Sequence, residues 1–201
     1  MNSKILSACF LCLLLAACAG FKAVDADKPV NVGDDITIQP QVAWANAFGP
    51  GISGTVWTID GLGLNELRFL TGIVPGRPLL DVQGVPRAEL VGYNATMLPN
   101  DVMDMTVSTL GKLGNQQVRA AALRPAPFGA ASGFRFDLAF ATKDGLEMKG
   151  IALASQRRGK LDVILYIAPA EFYYDRNVQV VERIFASIKV PDTAQMAAAT
   201  N

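Results

Sequence analysis

The 201 residues of this chain include no histidine, and its carboxylates and aromatic rings are the first candidates to weigh for side-chain chemistry. That absence excludes Ser-His-Asp and Cys-His triads, imidazole metal ligands and histidine acid/base work. Two carboxylate pairs stand close in sequence, Asp34 with Asp35 and Asp101 with Asp104. The first reads as a solvated strand entry and the second as charge favoured at the positive end of a helix dipole. No Asp-x-Asp-x-Asp-Gly calcium loop occurs. "GLGLNE" (Gly61 to Glu66) lacks the third glycine and the Gly-Lys-Ser/Thr ending of a phosphate loop, so it reads as a turn. "GISGT" lacks the residue between Ser53 and Gly54 that a nucleophile elbow requires. No catalytic residue, metal ligand or cofactor is expected.

What remains is a candidate interaction surface. Arg157, Arg158 and Lys160 form a small positive tip between two strands, suited to an acidic partner or lipid headgroups, although a hairpin tip needs polar residues in any case. Phe172, Tyr173 and Tyr174 follow Pro169 at the start of a helix. Such aromatics can pack beneath the helix, and tyrosines also populate interfaces.

The thiols have a different role. Lys4 precedes an apolar run from Ile5 to Ala17 that holds Cys9 and Cys12 and ends in Leu15-Ala16-Ala17-Cys18. One positive charge, a short apolar core and a small-residue exit make a secretory signal peptide, and the run is shorter than the roughly 20 residues a membrane helix needs. The exit resembles the lipobox of bacterial lipoproteins. The resemblance implies cleavage between Ala17 and Cys18, a diacylglycerol on the Cys18 thiol and acylation of its freed amine. Two or three chains anchor firmly where a single chain does not. Ala19, where inner-membrane lipoproteins often carry Asp, implies the outer membrane, facing the periplasm. With Cys9 and Cys12 removed and Cys18 occupied, no disulfide framework is expected.

Lys+Arg and Asp+Glu both total 18, and the chain is 51% hydrophobic. It can bury a core, and it offers little electrostatic footprint for nucleic acid. The expected organisation is a signal peptide at 1–17, a lipidated tether at 18–31, one domain at 32–190 and a flexible tail at 191–201.

Within that domain, "DDITIQP" (34–40) and "GTVWTID" (54–60) read as strands. "NELRFLTGI" (65–73) is a third, with a short helix at Leu64 to Leu70 as the alternative. The Pro- and Gly-rich stretch that follows favours no regular element. Asn100 is a good helix N-cap, and Val102, Thr106, Leu110 and Leu113 recur at helical spacing up to Gly114. "QQVRAAAL" (116–123) is a strand candidate. "GFRFDLAFA" (133–141) alternates strictly, Asp144-Gly145 marks a turn, and "LEMKGIALAS" and "LDVILYIA" complete three consecutive antiparallel strands. The last of these is apolar on both sides and needs cover on both. One cover is the helix at about 175–187, striped with Val178, Val181, Phe185 and Ile188, and the other is the helix at 100–113. The expected class is α+β, an antiparallel sheet with helices packed on it.

The stretch "YIAPAEFYYDRNVQVVERIFASIKV", with its "-APxxFY" entry to a last helix closing in "-SIKV", resembles the end of PsbP-like and DcrB-like domains. The resemblance covers about 100–190 and implies an α/β/α sandwich whose members are mostly accessory and assembly proteins. The chain is therefore expected to be a non-enzymatic, lipid-anchored envelope module facing the periplasm, with an envelope protein as its partner. A pocket for an apolar ligand between sheet and helix is the alternative, and a carboxylate-based hydrolase is the third reading.

Overall fold

The computed structural model describes residues 20–191. Its strands are β1 (Gly20–Val24), β2 (Val30–Asn31), β3 (Thr37–Ile38), β4 (Trp44–Phe48), β5 (Thr55–Thr58), β6 (Glu66–Ile73), β7 (Gln116–Phe128), β8 (Ala131–Ala141), β9 (Glu147–Arg157) and β10 (Lys160–Pro169). Two α-helices, α1 (Pro99–Lys112) and α2 (Tyr173–Ala186), complete the regular elements with a 3-10 turn at Arg87–Glu89. Eight strands form one sheet in the order β1-β4-β5-β6-β10-β9-β8-β7, and β2 pairs with β3 separately. Every pairing in the sheet is antiparallel.

The sheet separates two cores, and β10 shows why. Ile164, Tyr166 and Ala168 enter the core under α2, while Leu161, Val163 and Leu165 enter the core under α1. Strict alternation in β8 sends Phe134, Phe136, Leu138 and Phe140 to the α1 side, leaving Arg135 to reach Glu182 of α2. α2 contributes Val181, Ile184 and Phe185. α1 contributes Val102, Met105 and Leu110, and its buried Thr106 and Thr109 hydroxyls donate to the carbonyls of Val102 and Met105, so neither is left unpaired. The α+β class, the three consecutive strands and a helix on each face are as expected.

Several local details differ. Residues 65–73 hold a strand, settling the alternative, because Leu67 and Phe69 feed one core and Leu70 the other. The N-cap of α1 is Leu98, not Asn100: Pro99, with its fixed φ, takes the first helical position, and the Asp101 carboxylate accepts the Leu98 N–H at 2.7 Å. The 34–40 strand shortens to Thr37–Ile38, with Ile36 and Ile38 buried together as expected. Residues 74–98 are irregular apart from the 3-10 turn, yet Leu79, Leu80 and Tyr93 cover part of the α1-side core.

The largest correction concerns the segment read as a tether. Residues 20–24 are an edge strand of the main sheet, paired from Gly20↔Phe48 to Val24↔Trp44, with Val24 and Trp44 in the core. The domain thus begins by Gly20, and its partner strand β4 was not expected at all. Cys18, Ala17 and the rest of the signal peptide lie outside the described residues, as does the 192–201 part of the tail.

Candidate binding cleft at the head of the last helix

The proposed positive tip is a closed ion-pair cluster. Arg157 is the last residue of β9, its side chain only 10% exposed, and its guanidinium bridges Asp35 at 2.9 Å and Asp162 at 2.8 Å. Arg158 also meets Asp35, at 3.0 Å, and Lys160 lies 3.7 Å from Asp34. Asp162, 5% exposed, accepts the Gly72 N–H as well. The cluster ties the 34–35 loop to the β9–β10 hairpin. Hydrogen bonding from Arg157, opposed by partial burial, holds the Asp35 carboxyl below the ordinary carboxylate range. Asp35 is thus tied into the ion-pair cluster, whereas Asp34 stays 90% exposed, as expected of a solvated strand entry.

Tyr173 and Tyr174 lie over Tyr166 of β10, six residues and about 20 Å along the strand from Lys160 at a rise of 3.3 Å per residue. The five candidate residues therefore do not form one surface. The head of α2 is fastened to the β5–β6 turn: Asn177 donates to Asp60 at 3.3 Å and to the Tyr173 carbonyl at 3.4 Å, and Arg176 pairs with Asp60 at 3.2 Å. Within that turn Asn65 accepts from the Thr58 hydroxyl and the Ile59 N–H, which is what the 61–66 glycines serve. The Tyr166 hydroxyl donates to the Tyr173 carbonyl, and the Tyr174 ring stacks on Tyr166 at 5.7 Å. Burial pushes the Tyr174 phenol up to about 12, and burial raises Tyr166 as well.

Beyond Tyr174 the helix no longer covers the sheet. On this face Arg119, Ala139 and Lys149 pair across β7, β8 and β9, and Ala139 is exposed. The result is an open cleft of about 620 Å³ with an alanine floor, walled by Tyr174, Arg119, Lys149, Asp137 and Glu147. The Lys149 ammonium lies 5.6 Å from the Tyr174 ring centre. Among the described residues neither Lys149 nor Glu147 has an ion-pair partner. Asp137 stands four residues along β8 from Ala141, the partner of Glu147, about 13 Å away along the strand. Paired-acid glycosidases use separations of roughly 5–10 Å. Among the described residues no group of three metal-ligating side chains comes together.

Phe172, two residues before Tyr174 and not part of the cleft lining, has an unusual conformation. Its backbone has φ 68° and ψ −59°, and the Tyr173 N–H donates to the Glu171 carbonyl at 2.8 Å. That is the rare, strained positive-φ γ-turn. The strain serves no buried contact of the ring, which is 63% exposed and carries the Arg176 guanidinium 5.5 Å from its centre.

Sequence reasoning identified the aromatic cluster but missed Arg119, Lys149, Asp137 and Glu147. The signal lay in β9, where one face runs Glu147, Lys149 and then Ile151, marking where the helix cover ends.

No family model matches the chain, and no curated relative matches it. Among solved structures it is similar to the cyanobacterial PsbP (CyanoP) of Synechocystis sp. PCC 6803, at 15% identity and a TM-score of 0.50, covering 89% of this chain and 99% of that one. It is also similar to the Ran-binding protein Mog1p of Saccharomyces cerevisiae (12%, TM-score 0.40, 88% and 98%). LpqN of Mycobacterium tuberculosis, described as involved in cell envelope biogenesis, matches at 13% identity and a TM-score of 0.36, over 86% and 92%. The PsbP fold implied by the closing motif is the fold observed.

Proposed function

We propose that this chain is a non-enzymatic, lipid-anchored envelope module, held through Cys18 and facing the periplasm from the outer membrane, that engages a protein partner at the head of α2, through Phe172 and the cleft walled by Tyr174. The observation that carries the reading is the exposed Phe172 in a strained γ-turn, on the same helix head as Tyr174, which walls a cleft whose Lys149 and Glu147 have no ion-pair partner among the described residues. Backbone strain of about 1–3 kcal/mol persists where surrounding structure enforces it, and such sites cluster at binding surfaces. An exposed aromatic flanked by arginine has the composition of an interface anchor. The mechanism is tethering: confinement to a membrane surface raises the effective concentration of the domain for partners there.

The test is a photo-crosslinking amino acid placed at Phe172 and, as a control, at Leu64, in intact cells. One dominant adduct at 172, absent at 64 and lost when Lys149→Glu is added, is the expected result. Equal adduct patterns at both positions would overturn the cleft assignment. Cys18→Ser should abolish acylation, read by intact mass, and shift fractionation.

A second reading has its own observation. A groove of about 500 Å³ between α1 and β7–β8, lined by Pro99, Leu123, Pro125 and Phe134, suits an apolar ligand. Lipid that copurifies and is lost in Leu123→Asp would move the function there.

A further inference from the structure

The first described residue, Gly20, begins the edge strand β1, only two positions after Cys18. Two residues of extended chain span at most about 7 Å. If acyl chains sit on Cys18, as the proposed anchoring requires, the start of β1 must lie within that distance of the bilayer. The antiparallel pairing Gly20↔Phe48 puts the end of β4 and the β4–β5 turn at the same place.

This end of the molecule exposes two aromatic rings beside an uncharged turn. Phe48 is 55% exposed and Phe21 53% exposed, on opposite sides of the edge pair. The Phe48 ring lies across Gly20, in space a Cβ would occupy. The turn that follows, "GPGISG" from Gly49 to Gly54, contains no charged residue in a chain that is 18% charged. It closes with Ile52 N–H donating to the Gly49 carbonyl at 3.2 Å, and Gly51 takes φ +79° at its tip.

We infer that Phe21, Phe48 and the uncharged 49–54 turn rest in the interfacial layer of the bilayer, seating the domain on its β1 edge and holding it in one orientation. Exposed aromatic and aliphatic groups gain by leaving water at the headgroup boundary, and one such contact beside a covalent anchor fixes how the domain stands. The cleft at β7–β9 is then carried on the opposite edge: β1 and β8 are six strand spacings apart, about 29 Å, so the cleft faces away from the membrane.

The experiment uses the protein purified from cell membranes and reconstituted in phosphatidylethanolamine–phosphatidylglycerol vesicles with brominated acyl chains. An environment-sensitive fluorophore is attached through Ser53→Cys or, as control, Ala139→Cys, both solvent-exposed positions. Intact mass first reports acylation of Cys18. Lipid quenching about threefold or more greater at 53 than at 139, and reduced by Phe48→Ser, is expected for a turn buried at the acyl boundary. An acylated protein quenched equally at both positions overturns the seating and leaves the anchoring intact. An unacylated protein overturns the anchoring, and the seating with it.

Discussion

Two charged regions at opposite ends of β10 have been put to opposite uses. Around Arg157, six ionic side chains from distant segments neutralise one another, with Arg157, Asp35 and Asp162 shielded at the centre. Around Tyr174, ionic groups of both signs face an open cleft; Asp137 pairs with Arg124, while Lys149 has no ion-pair partner among the described residues and lies against the Tyr174 ring. Charge alone therefore does not mark a functional surface. Among the described residues, a charge whose partner lies elsewhere in the chain holds the fold together, while one left in a concavity is available to something outside it.

The comparison breaks most sharply at Arg157. Arg157→Ala should destabilise the protein by about 3–5 kcal/mol, since it leaves Asp162 buried with an uncompensated charge. Urea unfolding followed by circular dichroism measures this, and a loss below about 1 kcal/mol would mean the cluster is decorative.

Next in size, acid and alkali should attack different regions. The Asp35 pKa is depressed in the folded state, so its contribution is present above the ordinary carboxylate value of about 3.9 and is lost as pH falls through the folded value. Asp35→Asn should flatten the decline in urea midpoint below about pH 4. The Tyr174 pKa is raised to about 12, so its contribution is present below about 10 and is lost as pH rises through 12. Phenolate absorbance should show a late-titrating tyrosine that is diminished in Tyr174→Phe and not abolished, because Tyr166 beneath it is raised as well.

Third, Phe172→Gly should raise stability by about 1 kcal/mol, because glycine takes a positive φ without steric cost although it adds entropy to the unfolded chain. In the Arg157 cluster Arg158 also takes a positive φ, of 51°, but there a glycine would give up the ion pair with Asp35. Phe172→Gly should also remove the partner adduct formed from a photo-crosslinking residue placed instead at the exposed Ala139 of the cleft. Stability gained with binding retained would separate the γ-turn from function.

What the sequence made legible follows from which forces act locally. Alternation in "GFRFDLAFA" and the unbroken apolar run of "LDVILYIA" report burial directly, so β8, β10 and the need for a helix on each face were readable, as was the PsbP-like order of the second half. β1 and β4 were not, because "GFKAV" and "WANAF" are short, show no strict apolar–polar alternation and exist by pairing with each other. The pairing of Arg157 with Asp35 spans 122 positions, and no local pattern encodes it. The cleft was half legible for the same reason: Tyr174 stands out by type, whereas Arg119 and Lys149 become neighbours only through the register of three strands.

The smallest expected change in stability is the most discriminating. Lys149 is exposed, makes no ion pair among the described residues, and its ring contact lies at the solvent end of Tyr174. Lys149→Ala should therefore shift the unfolding free energy by no more than about 0.5 kcal/mol, while crosslinking from position 172 falls several-fold if the ammonium meets an acidic group on the partner. A loss of stability above about 1 kcal/mol would place Lys149 with Arg157, as a residue the fold depends on, and would reduce the cleft to a gap between elements. Unchanged stability with unchanged crosslinking would leave Phe172 as the anchor and assign Lys149 no part in recognition. Because the two readouts move independently only if the charge is offered outward, this pair of measurements tests the distinction between the two regions itself.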